Sequence, residues 1–186
     1  QAMNVVPGTA TTMMKALADA GLATWRPRSG VKLTKGGEQL ALHVMRRHRL
    51  IELFLVKILG FDWAEVHDEA EELEHAISDK LLERMDALLG HPTVDPHGDP
   101  IPSARGKLDD AELASLLTCP ERRRVRVARV TDQAPDFLHF VDRSGLKPDA
   151  VVTVKARDAA AGTVTIQRGK STVTLGAAAA AAVLVN

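Results

Sequence analysis

The 186 residues suffice for one large or two small domains, and with 45% hydrophobic residues a true core can form. Aromatic residues make up only 3% and Tyr is absent, which argues against a stacking platform for single-stranded nucleic acid. Net charge is zero, but residues 1–49 carry 8 Lys/Arg against 2 Asp/Glu, residues 50–118 carry 5 against 16, and residues 119–186 carry 11 against 6. Charge varies along many chains without meaning, yet a basic head on an acidic middle suits a polyanion partner for the one and cations for the other. The single cysteine, Cys119, rules out an internal disulfide framework and fits a cytoplasmic protein. No apolar run is long enough to cross a membrane, and no stretch reads as a signal peptide.

Residues 1–22 read as a helix entered through Pro7-Gly8-Thr9 and ended by Gly21. Its Thr9, Thr11 and Thr12, with Lys15, suit base edges and phosphates of a DNA major groove, though many surface helices carry Thr and Lys. Residues 22–34 read as two short strands around Pro27-Arg28-Ser29-Gly30, a hairpin with a basic tip. A helix followed by a basic hairpin is how a winged helix-turn-helix ends. The two earlier helices that build such a domain's core are not in the sequence, so the expectation is a chain starting part-way through it.

Residues 34–60 read as a long helix capped by the Thr34 hydroxyl and stopped at Gly60. Ala41, Val44, Met45, Leu55 and Leu59 form its apolar stripe, and His48 and Glu52 lie on that stripe one turn apart. Such a pair binds a metal, shares a proton or makes a structural hydrogen bond. The basic face, Arg46-Arg47 with Arg49, reads as reaching phosphate or as merely solvated.

The next helix, starting at Asp62-Trp63, holds the stretch Val66-His67-Asp68-Glu69-Ala70-Glu71-Glu72-Leu73-Glu74-His75. At roughly 100° per residue, His67, Glu71, Glu74 and His75 fall in one sector, beside an apolar sector of Val66, Ala70, Leu73 and Ile77. Two imidazoles and two carboxylates at the edge of a buried face are the donors of a divalent metal; otherwise a costly polar cluster needs another explanation. Ser78-Asp79 caps a further amphipathic helix to Leu89, and helices this rich in Leu and Ile suggest packing against a second copy, with burial inside one chain as the competing account.

Residues 91–102 are a loop whose His91 and His97 read as solvated more readily than as ligands. Residues 103–118 read as linker plus a short helix over 109–117. From Arg122 the period changes to two, giving strands over 125–130, 151–155, 163–166 and 172–175 with a short helix over 137–142, as in a small SH3-like barrel. Arg122-Arg123-Arg124 reads as a solvated strand lead-in or a phosphate patch.

Val66-His67-Asp68-Glu69-Ala70, Glu74-His75, Ser78-Asp79, Arg47-His48-Arg49-Leu50 and Pro96-His97-Gly98-Asp99-Pro100-Ile101-Pro102, in this order, resemble the diphtheria-toxin-repressor family of metal-dependent transcriptional regulators. Gly145-Leu146-Lys147-Pro148 and the strand pattern match more loosely. The resemblance implies an α+β chain in four parts. Residues 1–34 would be the recognition helix and wing of a partial winged helix-turn-helix, and 35–102 a helical dimerisation and metal-binding domain. Residues 103–121 would be a linker and 122–186 a C-terminal SH3-like small β-barrel.

By resemblance, one metal site uses His48, Glu52 and His67, with Asp136 and His139 as barrel side chains that add to it. A second uses Glu71, Glu74 and His75 with one ligand from a helix the sequence lacks. Iron-responsive members carry Cys at the position of Glu71 and manganese-responsive members an acidic residue. A carboxylate is the harder ligand, so Mn(II) is the expected effector, with Fe(II) as the alternative. Pro7, Thr9, Thr11, Thr12 and Lys15 would face operator DNA, and Arg26, Arg28 and Lys32 would hold phosphates from the wing. The expected protein is thus a homodimeric, Mn(II)-dependent repressor of manganese-uptake genes, not an enzyme, with no membrane or small organic substrate as partner. The competing readings are an Fe(II)-responsive repressor, a metal-binding dimeric fragment without DNA binding, and a metallohydrolase, for which no substrate pocket is evident.

Overall fold

The computed structural model describes residues 7–26, 30–109 and 111–186, with Pro7 described by its backbone alone. Residues 1–6 of the first expected helix, the Pro7 side chain and the wing-tip Arg28 lie outside the described residues. Helix α1 (Pro7–Asp19) ends in a turn where Gly21 takes φ 71°, and leads into the antiparallel hairpin of β1 (Ala23–Arg26) and β2 (Gly30–Leu33).

Thr34 joins this unit to the long helix α2 (Lys35–Leu59). Its hydroxyl accepts from Gly37 N at 3.1 Å and donates to Gly21 O at 2.7 Å, so one side chain caps α2 and ties down the end of α1. Helix α2 stops at Gly60 (φ 74°), whose N–H returns to Leu55 O. Helix α3 (Val66–Ala76) and helix α4 (Asp79–Leu88) follow, the latter capped by Ser78. Their core is Leu50, Ile51, Leu53, Leu55, Val66, Ala70, Leu82 and Ile101.

Residues 62–65 are a turn rather than the first turn of α3. Asp62 Oδ1 accepts from Ala64 N at 2.7 Å, a local bond that competes with helix formation. The basic face of α2 is neither solvated nor free for phosphate. Arg47 donates to Glu74 O and Ile77 O and pairs with Asp79, fixing the α3–α4 corner. Arg46 donates to Pro102 O and Arg49 to Pro100 O, holding the following loop against α2. Ile58, Leu59, Leu81 and Leu88 stay exposed, an apolar surplus that one copy of the chain does not bury.

The C-terminal part is a six-stranded antiparallel sheet in the order β3-β8-β4-β5-β6-β7. Its strands are β3 (Ala114–Ser115), β4 (Arg124–Val130), β5 (Val151–Asp158), β6 (Thr163–Arg168), β7 (Ser171–Gly176) and β8 (Val183–Val185). Helix α5 (Pro135–Arg143) lies between β4 and β5, where a short helix was expected, and helix α6 (Ala177–Ala182) lies between β7 and β8. The expected helix over 109–117 does not form among the described residues. Ala114 pairs with Val185, Leu116 N donates to Val183 O, and Leu116 is fully buried, so long-range pairing overrides the local preference. Trp63 and Ala64, from the turn before α3, pack into the core of this sheet and fasten it to the helical part.

Candidate metal centre

Two donor groups share one carboxylate. On α2, His48 and Glu52 stand four residues apart, and α3 lays His67 and Glu74 beside them. Glu52 Oε1 lies 3.0 Å from His48 Nε2 and 3.3 Å from His67 Nδ1; His48 Nε2 lies 3.0 Å from His67 Nδ1. The other nitrogen of His48 meets Glu74 Oε2 at 3.1 Å. These side chains line a cavity of about 610 Å³ whose remaining wall is largely apolar, with Leu17, Leu22, Leu33 and Leu40 from the N-terminal unit and α2.

Both His48 nitrogens face carboxylate oxygens, so both donate when the ring is charged. Burial opposes that charge, but the hydrogen bonds and charges of Glu52 and then Glu74 outweigh it, and the His48 pKa is raised above 6.5. Burial likewise pushes the Glu52 carboxyl up, yet the His48 hydrogen bond and charge prevail and hold it below 4.5. Both shifts have one physical sense, the imidazolium and the carboxylate stabilising each other's charged form.

The second group is Glu52, Asp95 and His97, all buried, with ligand atoms within 4.8 Å of one another. Burial, reinforced by the charges of Asp99 and Glu52, pushes Asp95 up to about 7, against the N–H groups of Asp99 and His97 that favour its ionised form. His97 Nε2 lies 2.8 Å from Trp63 O. A carbonyl only accepts, so Nε2 is the donor, and in the neutral ring the lone pair is on Nδ1. That Nδ1 is buried and has no hydrogen-bond partner. An imidazole fixed by a carbonyl behind it, its free lone pair buried beside two carboxylates, has the form of a metal ligand. The residues therefore fit a divalent cation.

Of the donors expected from the sequence, His48, Glu52 and His67 come together. Glu71 is exposed on the wall of the same cavity. Glu74 is drawn to His48, with its other oxygen 3.4 Å from an exposed His75, so Glu71, Glu74 and His75 do not close into a compact group among the described residues. His139 faces Asp62 at 3.8 Å and Asp136 is exposed; neither joins the His48 group. Among the described residues, Gln133 of the barrel lines the cavity wall. His97, expected to be solvated, is 1% exposed, because Trp63 stacks on it and the loop is pressed onto β4.

In the N-terminal unit Thr9, Thr11, Thr12, Lys15, Arg26 and Lys32 are exposed. The Thr12 hydroxyl donates back to Gly8 O, and Lys15 Nζ lies 6.0 Å from the Trp25 ring centre.

Residues 34–103 match the iron dependent repressor metal binding and dimerisation domain, and residues 114–186 match the FeoA domain. The iron-dependent repressor IdeR of Mycobacterium bovis is 35% identical over 157 residues, covering 78% of this chain and 68% of that protein. The chain belongs to the diphtheria-toxin-repressor family of metal-dependent transcriptional regulators. Among solved structures, a manganese-dependent transcriptional repressor in complex with manganese superposes with a TM-score of 0.88 at 42% identity, covering 98% of this chain and 85% of that one. The apo form of the manganese-activated repressor ScaR gives 0.81 at 34% identity, covering 99% and 87%. For this family member the mixed fold is thus a helical metal-binding and dimerisation unit followed by an SH3-like FeoA domain.

Proposed function

We propose that this chain is a Mn(II)-dependent, DNA-binding transcriptional repressor of manganese-uptake genes that acts as a homodimer in the cytoplasm, without catalysis. The observation that carries the reading is Glu52 shared between two donor groups built only from imidazole and carboxylate. Cys119, the one thiol, is buried in the FeoA-domain core and takes no part. A hard oxygen and nitrogen set suits Mn(II) and Fe(II) better than soft-ligand metals. Glu71 on the cavity wall adds another hard donor.

A bound divalent metal would supply positive charge beside the Glu52, Asp95 and Glu74 carboxylates. His48, Glu52 and His67 on one side, and Glu52 with Asp95 and His97 on the other, are the residues that would hold it, the buried Nδ1 of His97 and the carboxylate of Glu52 among their donors. Holding α2, α3 and the 94–100 loop on one centre would fix the cavity wall that α1 and the hairpin share with α2. That fixes the presentation of Thr9, Thr11, Thr12 and Lys15, with Arg26 and Lys32 from the wing; Pro7 and Arg28 complete the proposed DNA set. The exposed Ile58, Leu59, Leu81 and Leu88 supply apolar surface for a second copy, whose two-fold symmetry would match a palindromic operator. Coupling of about 1–3 kcal/mol between metal and DNA is enough for such a switch.

Fe(II) is the alternative effector, favoured by the iron-dependent relatives. Calorimetric titration of Mn(II), Fe(II) and Zn(II), with the Glu71→Cys variant in parallel, separates the two. Mn(II)-dependent retardation of promoter DNA, with Glu71→Cys shifting preference toward Fe(II) or Zn(II), supports manganese. Retardation by Fe(II) but not Mn(II) at cellular concentrations overturns it. Metal binding and dimerisation without any retardation leaves the dimeric fragment.

A further inference from the structure

The loop that carries Asp95 and His97 is held from both sides, and one side is the FeoA domain. The loop closes on itself first. Asp95 Oδ1 accepts from His97 N at 2.8 Å and from Asp99 N at 2.9 Å, and Asp95 N donates to Asp99 O at 2.9 Å. Gly98 turns the chain at φ 88° and presses against β4: a Cβ there would stand 1.9 Å from Ala128 O and 2.8 Å from Arg129 Cα. Val130 N then donates to His97 O at 2.9 Å, a backbone bond from the domain to the donor residue itself.

Asp99 completes the attachment. Its Oδ2 accepts from Gln133 Nε2 at 2.8 Å, while Oδ1 lies 3.6 Å from both Arg129 Nε and Arg49 Nη2. Arg129 and Gln133 belong to the FeoA domain and Arg49 to α2, next to His48. The same Arg49 donates to Pro100 O at 2.5 Å and lies 3.8 Å from Asp95 Oδ2. One carboxylate thus joins the two halves of the molecule within a few residues of the donors.

We infer that Gly98, Asp99 and Gln133 are positioning residues that clamp the donor loop between α2 and the FeoA domain, so that domain docking sets the affinity of the Glu52–Asp95–His97 group. None of the three belongs to either donor group. The clamp acts by holding Asp95 and His97 at the reach of Glu52 before metal arrives, removing the ordering cost that a loose loop would charge against binding. The inference rests on the metal-sensor reading.

The test is Mn(II) affinity by calorimetry on the full chain and on Gln133→Ala, Asp99→Ala and Gly98→Ala. Gln133→Ala removes an exposed amide and keeps the fold testable if Gly98→Ala does not fold. Loss of an outer-shell partner weakens metal binding by about 10–100-fold, and that range is expected for Asp99→Ala, with Asp99→Glu recovering part of it. The Gln133→Ala effect should vanish in a His97→Ala background and persist in a His67→Ala background, which general destabilisation would not do. In the metal-free protein, hydrogen exchange at the Val130 amide should speed up in all three variants. Unchanged Mn(II) affinity in Asp99→Ala and Gln133→Ala overturns the clamp while leaving the sensor reading in place. A parent chain that binds no Mn(II) overturns the sensor reading and the clamp with it.

Discussion

The two donor groups around Glu52 are made in different ways. The outer one, His48 with Glu52 and His67, comes from two helices packed side by side, and its His67 side chain is 58% exposed. The inner one, Glu52 with Asp95 and His97, takes two donors from a loop, and all three residues are buried. The outer group is preformed by helical geometry and stays wet. The inner group depends on two parts of the chain docking correctly, and it holds one buried imidazole nitrogen without a hydrogen-bond partner. On the proposed reading, a metal would enter the first with little rearrangement and would gain more from the second, where interactions act in a lower dielectric.

The change that should break the comparison outright is at the residue both groups share. Glu52→Gln preserves shape and removes the charge. Calorimetry should show Mn(II) affinity falling by more than about 100-fold, beyond what an outer-shell partner is worth. Retained tight binding would mean that neither group is the metal centre. His97→Ala comes next. It removes the inner group alone and also leaves Trp63 O buried without its donor, so thermal unfolding should report a loss of about 1–3 kcal/mol in the metal-free protein.

What the sequence disclosed follows the same division. The i,i+4 spacing of His48 and Glu52 and the α3 motif place side chains on helix faces by geometry alone, while the joining of His67 to His48 and Glu52 across two helices followed only from the family resemblance. The alternation from Val125 onward likewise marked four of the strands. The inner group could not be read this way. Asp95 and His97 sit between prolines in a stretch that looks solvated, and their burial comes from Trp63 and β4, which no local pattern reveals. The one available signal was Gly98 between His97 and Asp99, a position where φ 88° and the contact with Ala128 O demand glycine. β3 and β8 were missed for a related reason: two or three residues are too short to show a period, and they exist because they pair with each other and with β4.

Acidity separates the free from the loaded state. His48 is raised above 6.5, so its stabilising contribution is complete below that value and is lost as pH rises through its folded-state pKa. Asp95 is raised from 3.8 to about 7, so holding it ionised costs stability progressively across that interval and in full above it. Glu52, lowered from 4.5, contributes above that value and loses its contribution only as pH falls through its depressed pKa. The metal-free chain should therefore melt at lower temperature as pH rises from about 6 to about 8. Mn(II) affinity should climb over the acid side of this window, by about tenfold per pH unit for each proton displaced, and flatten above it. Opposite slopes for the two states, read by melting curves and calorimetry in matched buffers, are the expected signature. Affinity independent of pH would mean that neither proton is displaced.

The smallest effect is expected at His67. Its ring is half in solvent, it reaches Glu52 at 3.3 Å, and His48 already supplies a nitrogen to the same oxygen at 3.0 Å. In His67→Ala, water can take the vacated position at little cost, because the site is open on that side and ordered water costs only about 0–2 kcal/mol to hold. The loss in Mn(II) affinity should stay within about tenfold, below that of His97→Ala, with no fall in the melting temperature of the metal-free chain. A larger loss at His67 than at His97 would reverse the order of the two groups: the exposed pair of helices would then hold the metal, and the buried loop would be a structural joint whose unpartnered nitrogen is merely tolerated.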